Sequence, residues 1–406
     1  MPDQRYRVLV LVTHVVQYAS PLFRVLANDP RLETLVAYCS LQGAEAGFDP
    51  EFGVQVQWDL PLLDGYKWVQ VPNRSLRPRL GHFWGLWNPG LWKLVRKGNF
   101  DAVVIYTGYM CASFWLTVLA AKSAGVPVLI STDSTTLHSR EGKRWKEWVK
   151  PFVVRRVYSF VDLIMAASNA AKKLAMTLGV PEKRLRIIRS GVDKEGWVAS
   201  NAKCNRSAVR AGWKVPDNAR VILYCAKLQP WKRPLDLLEA FAKANLPGVY
   251  LVFAGDGPQR NLLESRVHAL GLADRVRVMG FVNLSQLPSF YYAADLFVLP
   301  SAYDPCPLVV PEAMFSGLPV ILSDAVLGRL EMIDVGKSGY LYPCGDVDAL
   351  AGILKNVFAE PEKLLQLKDG VRRQMESWTR EEFLDCWVGA VEAATRLKHN
   401  PGGTPQ

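Results

Sequence analysis

The sequence predicts an α/β protein made of two doubly wound domains. Three observations predict it. Short apolar runs alternate with longer amphipathic stretches along nearly the whole chain. That rhythm is broken once, in "WVASNAKCNRSAVRAGWKVPDNAR", a polar and turn-rich passage around residues 198–219. The length of 406 residues also exceeds what one hydrophobic core organises. Strands buried on both faces read as continuous apolar runs, and parallel strands need helical crossovers to cover those faces.

The first series of predicted strands is 7–12, 34–38, 102–106, 128–131, 163–166 and 186–188. The second is 221–225, 249–254, 276–279, 296–299 and 320–322. Helical patterns lie between them, such as 234–244 and 259–270. The expected division is 1–198, 199–380, a C-terminal helix over 381–398 packing back toward the first domain, and a disordered tail over 399–406. In sheets of this kind ligands bind beyond the carboxyl ends of the strands, so the loops that follow strands are where chemistry is sought.

Composition narrows the class. Seven scattered cysteines form no CxxC pair, which argues against a zinc site or a disulfide scaffold and suits a reducing cytoplasm. "RVLVLV" is too short for a signal-peptide core and reads as the first strand. Twenty uncharged residues, "AVVIYTGYMCASFWLTVLAA", could cross a bilayer by length. They read instead as a strand, a turn at Thr107–Gly108 and a buried helix. Residues 1–197 carry 26 Lys+Arg against 16 Asp+Glu, whereas 198–406 carry 23 against 22. The basic first half also holds nine of the thirteen tryptophans, which points to an anionic partner. "RPRLGHFWGLWNPGLWKLVRKG" fits either a bilayer surface or an amphipathic helix packed on the sheet. No nucleic-acid recognition module is present, and no nucleic acid is expected.

Two strand-end loops carry the chemistry. In "FVLPSAYDPCPLVVPEAMFSGLPVILSD" a strand runs into a proline-rich turn and a short helix expected from about Leu308 to Ser316–Gly317. Backbone N–H groups of Cys306, Leu308, Val309 and Val310 would make an anion site there, suited to a phosphate. Asp304 and Glu312 flank it. Carboxylates repel a phosphate unless they bind something else, and sugar hydroxyls on either side of a diphosphate would be that something. In "VILYCAKLQPWKRPLDLLEAF" the strand ends near Cys225, and Lys227 and Lys232 follow in the loop. Two ammonium groups at a strand end neutralise a diphosphate without a metal.

The C-terminal half resembles the retaining glycosyltransferases of family 4, which have the GT-B fold of two Rossmann-like domains facing a central cleft. "DPCPLVVPE" is similar to the family's E-x7-E loop, with Asp304 and Glu312 at the acidic positions. "AKLQPWK" is similar to its "GRL…K" segment, with Lys227 at the arginine position and Lys232 at the lysine. "FAGDGPQRNLLESRVHALGL", "VRVMGFV" and "RIIRSGVD" also resemble family segments, so that the likeness covers roughly residues 160–390. It implies that Glu312 binds the ribose hydroxyls and Asp304 the transferred sugar, helped by the backbone of the 305–309 loop. It implies that Lys227 and Lys232 hold the diphosphate and that Phe281 and Val282 meet the base through backbone groups. Two departures bear on the donor sugar. Asp304 is one methylene shorter than Glu, and Lys227 replaces a bidentate Arg with a point charge.

The resemblance also implies a catalytic-site residue, often a His in the family, after the strand that follows "xPV", a position held here by Asp133 instead. The alternative for Asp133 is a strand-end cap. His14, Gln17 and Tyr18, after the first strand, are candidates for acceptor or diphosphate contact. His138 reads as an ordinary loop residue. "DVD" at 346–348 reads as a helix N-cap rather than a metal motif. No G-x-G-x-x-G follows the first strand, so no nicotinamide cofactor is expected, and no metal is assigned. The implied activity is transfer of a hexose from a UDP- or GDP-sugar co-substrate to a glycan or lipid-linked acceptor. A cytoplasmic enzyme, peripheral on the inner face of the cell membrane, fits the basic first half. A sugar-nucleotide epimerase or phosphorylase on the same fold, or a non-catalytic binding protein, are the other readings.

Overall fold

The computed structural model describes residues 5–49, 51–137, 144–188 and 192–399. His138, residues 189–191 of "RIIRSGVD" and the tail from residue 400 lie outside them. The described strands are β1 (Tyr6–Val12), β2 (Leu32–Tyr38), β3 (Gly47–Asp49), β4 (Val54–Val56), β5 (Trp68–Gln70), β6 (Ala102–Ile105), β7 (Val128–Thr132) and β8 (Leu163–Ala166). They continue with β9 (Leu185–Ile187), β10 (Arg220–Cys225), β11 (Val249–Ala254), β12 (Val276–Val278), β13 (Leu296–Leu299), β14 (Val320–Ser323) and β15 (Gly339–Tyr342).

The chain forms two compact units. The first comprises Met1–Glu45, Pro61–Gly191 and Arg380–Gln406. Its sheet is parallel in the order β5-β2-β1-β6-β7-β8-β9. β1 sits centrally, with Leu9 paired to Leu35 on one side and Val103 on the other. The apolar stretch 102–121 divides as its turn residues predict: β6, a loop, then the helix Ala112–Ser123, whose Phe114 and Val118 are buried. No helix of the described residues is long and apolar enough to cross a membrane. In the tryptophan-rich segment the helix Gly90–Lys97 buries Leu91 and Val95, while Trp84 and Trp92 stay exposed. The last helix, Arg380–His399, belongs to this unit. Its Trp387 is fully buried and its Nε1 donates to the Tyr106 hydroxyl at 3.4 Å.

The second unit comprises Ala46–Leu60 and Val192–Thr379. Its parallel sheet has the order β12-β11-β10-β13-β14-β15. Successive residues of β10 enter opposite cores: Ile222 and Tyr224 pack on one face, Val221, Leu223 and Cys225 on the other. Two-sided burial is why this strand shows no apolar–polar alternation.

The division expected at 198/199 falls at 191/192, and a second difference is larger. Residues 46–60, early in the sequence, fold with the second unit as the antiparallel hairpin β3–β4. The cause is aromatic and polar packing. Phe52 and Trp58 set their rings 5.1 and 5.7 Å from that of Phe281. The Asn283 side-chain amide donates to the Gln57 carbonyl at 2.6 Å, and Ser285 bonds Asp59.

Candidate nucleotide-sugar site

Strand order reverses between β10 and β13, so the loops after these two strands diverge from neighbouring strand ends. Such a switch point is where doubly wound sheets bind ligands. Lys227 and Lys232 come from the loop after β10, and Asp304 and Glu312 from the loop and helix after β13. The loops are tied together directly, because Ala302 N–H donates to the Trp231 carbonyl at 2.7 Å. The Lys232 ammonium forms an ion pair with Asp304, which is only 8% exposed. Sequence reading placed these residues in one site, and the second unit does bring Lys232 and Asp304 into contact.

A glycine lies close against each of these loops. Gly255, at φ +148°, passes so near the Ala226 carbonyl that a Cβ would overlap it. Gly328 lies in the same way against the Pro305 carbonyl. Each therefore backs one of the two loops with bare backbone.

The helix after β13 spans Val309–Phe315, and Gly317 at φ +78° lies just beyond its C-cap, Ser316. Of the four backbone donors expected, Val310 N–H is committed to the Pro307 carbonyl at 3.3 Å. The Val282 side chain is buried in the same core cluster as Phe297 and Val310. Glu312 is more enclosed than a ligand-facing carboxylate in an open loop. Burial pushes its carboxyl up to about 7, and a hydrogen bond from Tyr291, hydroxyl to Oε2 at 2.9 Å, pulls the other way.

Lys227 has partners the sequence did not announce. Its Nζ lies 2.7 Å from Glu51 Oε2 and 3.2 Å from Asp49 Oδ2, and 4.4 Å from the Phe52 ring centre. A signal for them existed. From Arg31 to Lys67 the chain carries no intervening basic residue but six acidic ones, within an otherwise basic half. Nothing in the sequence marked Tyr291 out.

In the first unit the predicted residues sit at carboxyl ends of strands. Asp133 follows β7 and is exposed. His14 follows β1, its Nδ1 2.9 Å from Thr13 Oγ1, and burial pushes its imidazole pKa down. Gln17 and Tyr18 lie in the same loop, the latter exposed. Asp346 caps the helix Val347–Ala359 by accepting from Ala349 N–H at 2.8 Å.

Comparison with known proteins bears on this arrangement. Residues 36–191 match the family model "Glycosyl transferase 4-like domain", and residues 205–374 match "Glycosyl transferases group 1". The chain is 31% identical over 140 residues to the D-inositol 3-phosphate glycosyltransferase of Mycolicibacterium smegmatis, covering 33% of this chain and 31% of that protein. The chain thus spans about a third of that relative's length. It is 31% identical over 245 residues to the D-inositol 3-phosphate glycosyltransferase of Geodermatophilus obscurus, covering 57% of this chain and 52% of that one. Among solved structures, Anabaena Alr3699/HepE in complex with UDP and glucose shares the fold. The TM-score is 0.71 at 20% identity, over 96% of this chain and 100% of that one. With both family models matched in sequence order and the fold shared, the chain belongs to the GT-B glycosyltransferases.

Proposed function

We propose that the protein is a retaining glycosyltransferase that moves a hexose from a UDP- or GDP-sugar to a glycan or lipid-linked acceptor. The observation that carries this reading is the pairing of two lysines and two carboxylates on adjoining loops at the strand-order reversal, with Lys232 and Asp304 in contact. Lysines suit a diphosphate and carboxylates suit sugar hydroxyls. UDP in the Anabaena protein of the same fold supports a uridine donor.

In the proposed reaction Lys227 and Lys232 stabilise the charge that grows on the leaving diphosphate as the glycosidic bond breaks. With the donor bound they are in place before the bond breaks, which is what makes such charges effective in a transition state. Glu312 accepts from the ribose and Asp304 from the hexose. Phe281 and Val282 meet the base through backbone groups, and the N–H groups near Cys306, Leu308 and Val309 face the phosphate. The sugar departs as an oxocarbenium-like species, and the acceptor hydroxyl enters on the leaving-group face, giving its proton to the departing diphosphate, with retention. Asp133, His14, Gln17 and Tyr18 serve the acceptor. The reading includes a peripheral place on an anionic inner membrane face, supported by the net basic first half.

A panel of nucleotide sugars read by thermal shift and by slow hydrolysis tests it. One nucleoside diphosphate sugar should raise Tm and be hydrolysed without acceptor, and both effects should fade in Lys232→Ala. A panel in which no member binds or turns over would overturn the proposal.

A further inference from the structure

The hairpin of residues 46–60 lies across both ends of the nucleotide site. At one end its Glu51 and Asp49 carboxylates hold Lys227 at 2.7 and 3.2 Å, where a diphosphate oxygen would bind. At the other end Phe52 and Trp58 cover Phe281. Between them the Gln229 side chain donates to the Glu51 carbonyl. The Asp49 side chain is itself held, since its Oδ1 accepts from Glu51 N–H at 2.8 Å and Phe52 N–H at 3.0 Å.

We propose that Asp49 and Glu51 are built-in competitors of the donor diphosphate, occupying Lys227 in the empty site and giving way when a nucleoside diphosphate binds. The inference rests on the reading of Lys227 as a diphosphate ligand. The three donors of the Lys227 ammonium already face three carboxylate oxygens, Glu51 Oε2 at 2.7 Å and Asp49 Oδ2 and Oδ1 at 3.2 and 3.4 Å, which leaves none for a diphosphate. Binding therefore includes displacement of the carboxylates, and their return helps expel the nucleoside diphosphate left after transfer. The pair is half in solvent, with side-chain exposures of 27% for Lys227 and 53% for Glu51. Exchange between the two anions is accordingly inexpensive.

The test is a cycle of affinities for a nucleoside diphosphate, measured by calorimetry on the full chain. D49N/E51Q should bind it about three- to tenfold more tightly than the unaltered protein, the range expected for losing two partly exposed ion pairs. Binding of the phosphate-free nucleoside should not change. In a Lys227→Ala background the same two substitutions should have no effect on the diphosphate. Hydrogen exchange over residues 46–60 should rise when the diphosphate is added. Unchanged or weaker diphosphate binding in D49N/E51Q, while Lys232→Ala still weakens it, would overturn the competitor role and leave the site standing. A nucleoside gain equal to the diphosphate gain would make the hairpin a steric cover and also overturn it. Failure of the unaltered protein to bind any nucleoside diphosphate would remove both readings together.

Discussion

The Tyr291 hydroxyl donates a 2.9 Å hydrogen bond to Glu312 Oε2, and Glu312 titrates near 7 because burial opposes its charge. A carboxyl raised from 4.5 to about 7 binds more protons folded than unfolded between those values. Stability from this group therefore falls as pH rises through that window, and the cost is complete above about 7. Glu312→Gln should be more stable than the parent at pH 8, by roughly 1–2 kcal/mol. The difference should shrink toward pH 4.5, as read by urea denaturation. Nucleotide affinity should drop as pH falls below 7, and Tyr291→Phe should move that drop to higher pH.

Lys232→Ala removes a charge-assisted contact and should cost roughly 1.5–3 kcal/mol of donor binding or transition-state stabilisation. It also leaves Asp304, nearly buried, without its ion pair, so Tm should fall as well. Asp304→Asn in the same background should recover the stability and not the activity. Steady-state kinetics beside thermal melts separates the two effects.

The two carboxylates should respond in crossed fashion. Glu312→Gln should weaken binding of the free nucleoside diphosphate, because ribose hydroxyls lose their charged acceptor. Asp304→Asn should leave that affinity nearly unchanged and lower turnover of the whole donor instead. Titration with the diphosphate and then with the intact sugar nucleotide checks this, and equal losses in both variants would reduce the carboxylates to loop supports.

In the proposed reaction two lysines do the work a divalent cation does elsewhere, so turnover should survive EDTA. Loss of activity in EDTA that magnesium or manganese restores would require a different site.

The central strands were legible because burial on both faces leaves unbroken apolar runs, as in "VILYC" and "LVFA". The strands that escaped were β5 and β15, at the edges of the two sheets, and the hairpin β3–β4. Trp68–Gln70 is largely exposed, and Gly339–Tyr342 buries only its ends, so neither shows a run. The loops with Lys227, Lys232, Asp304 and Glu312 were readable because charges after an apolar strand are conspicuous. Tyr291 was not, since it sits in "FYYAADL", where any of three aromatics could be the buried one. The partnership of Lys227 with Glu51 joins residues 176 apart, a distance at which local pattern carries no information.

Both units are finished by pieces of chain made at the wrong time. On a ribosome, which delivers the N-terminus first, the 46–60 hairpin emerges long before its anchor Asn283, which bonds a residue 226 positions earlier. The first sheet waits longer still, because its covering helix with Trp387 follows the whole second unit in the chain. Until those later segments emerge, nascent chains hold Phe52, Trp58 and the face awaiting Trp387 in water, the exposure that chaperones recognise. Chains cut short after residue 379 should therefore be cleared or aggregate rather than persist as a folded N-terminal half.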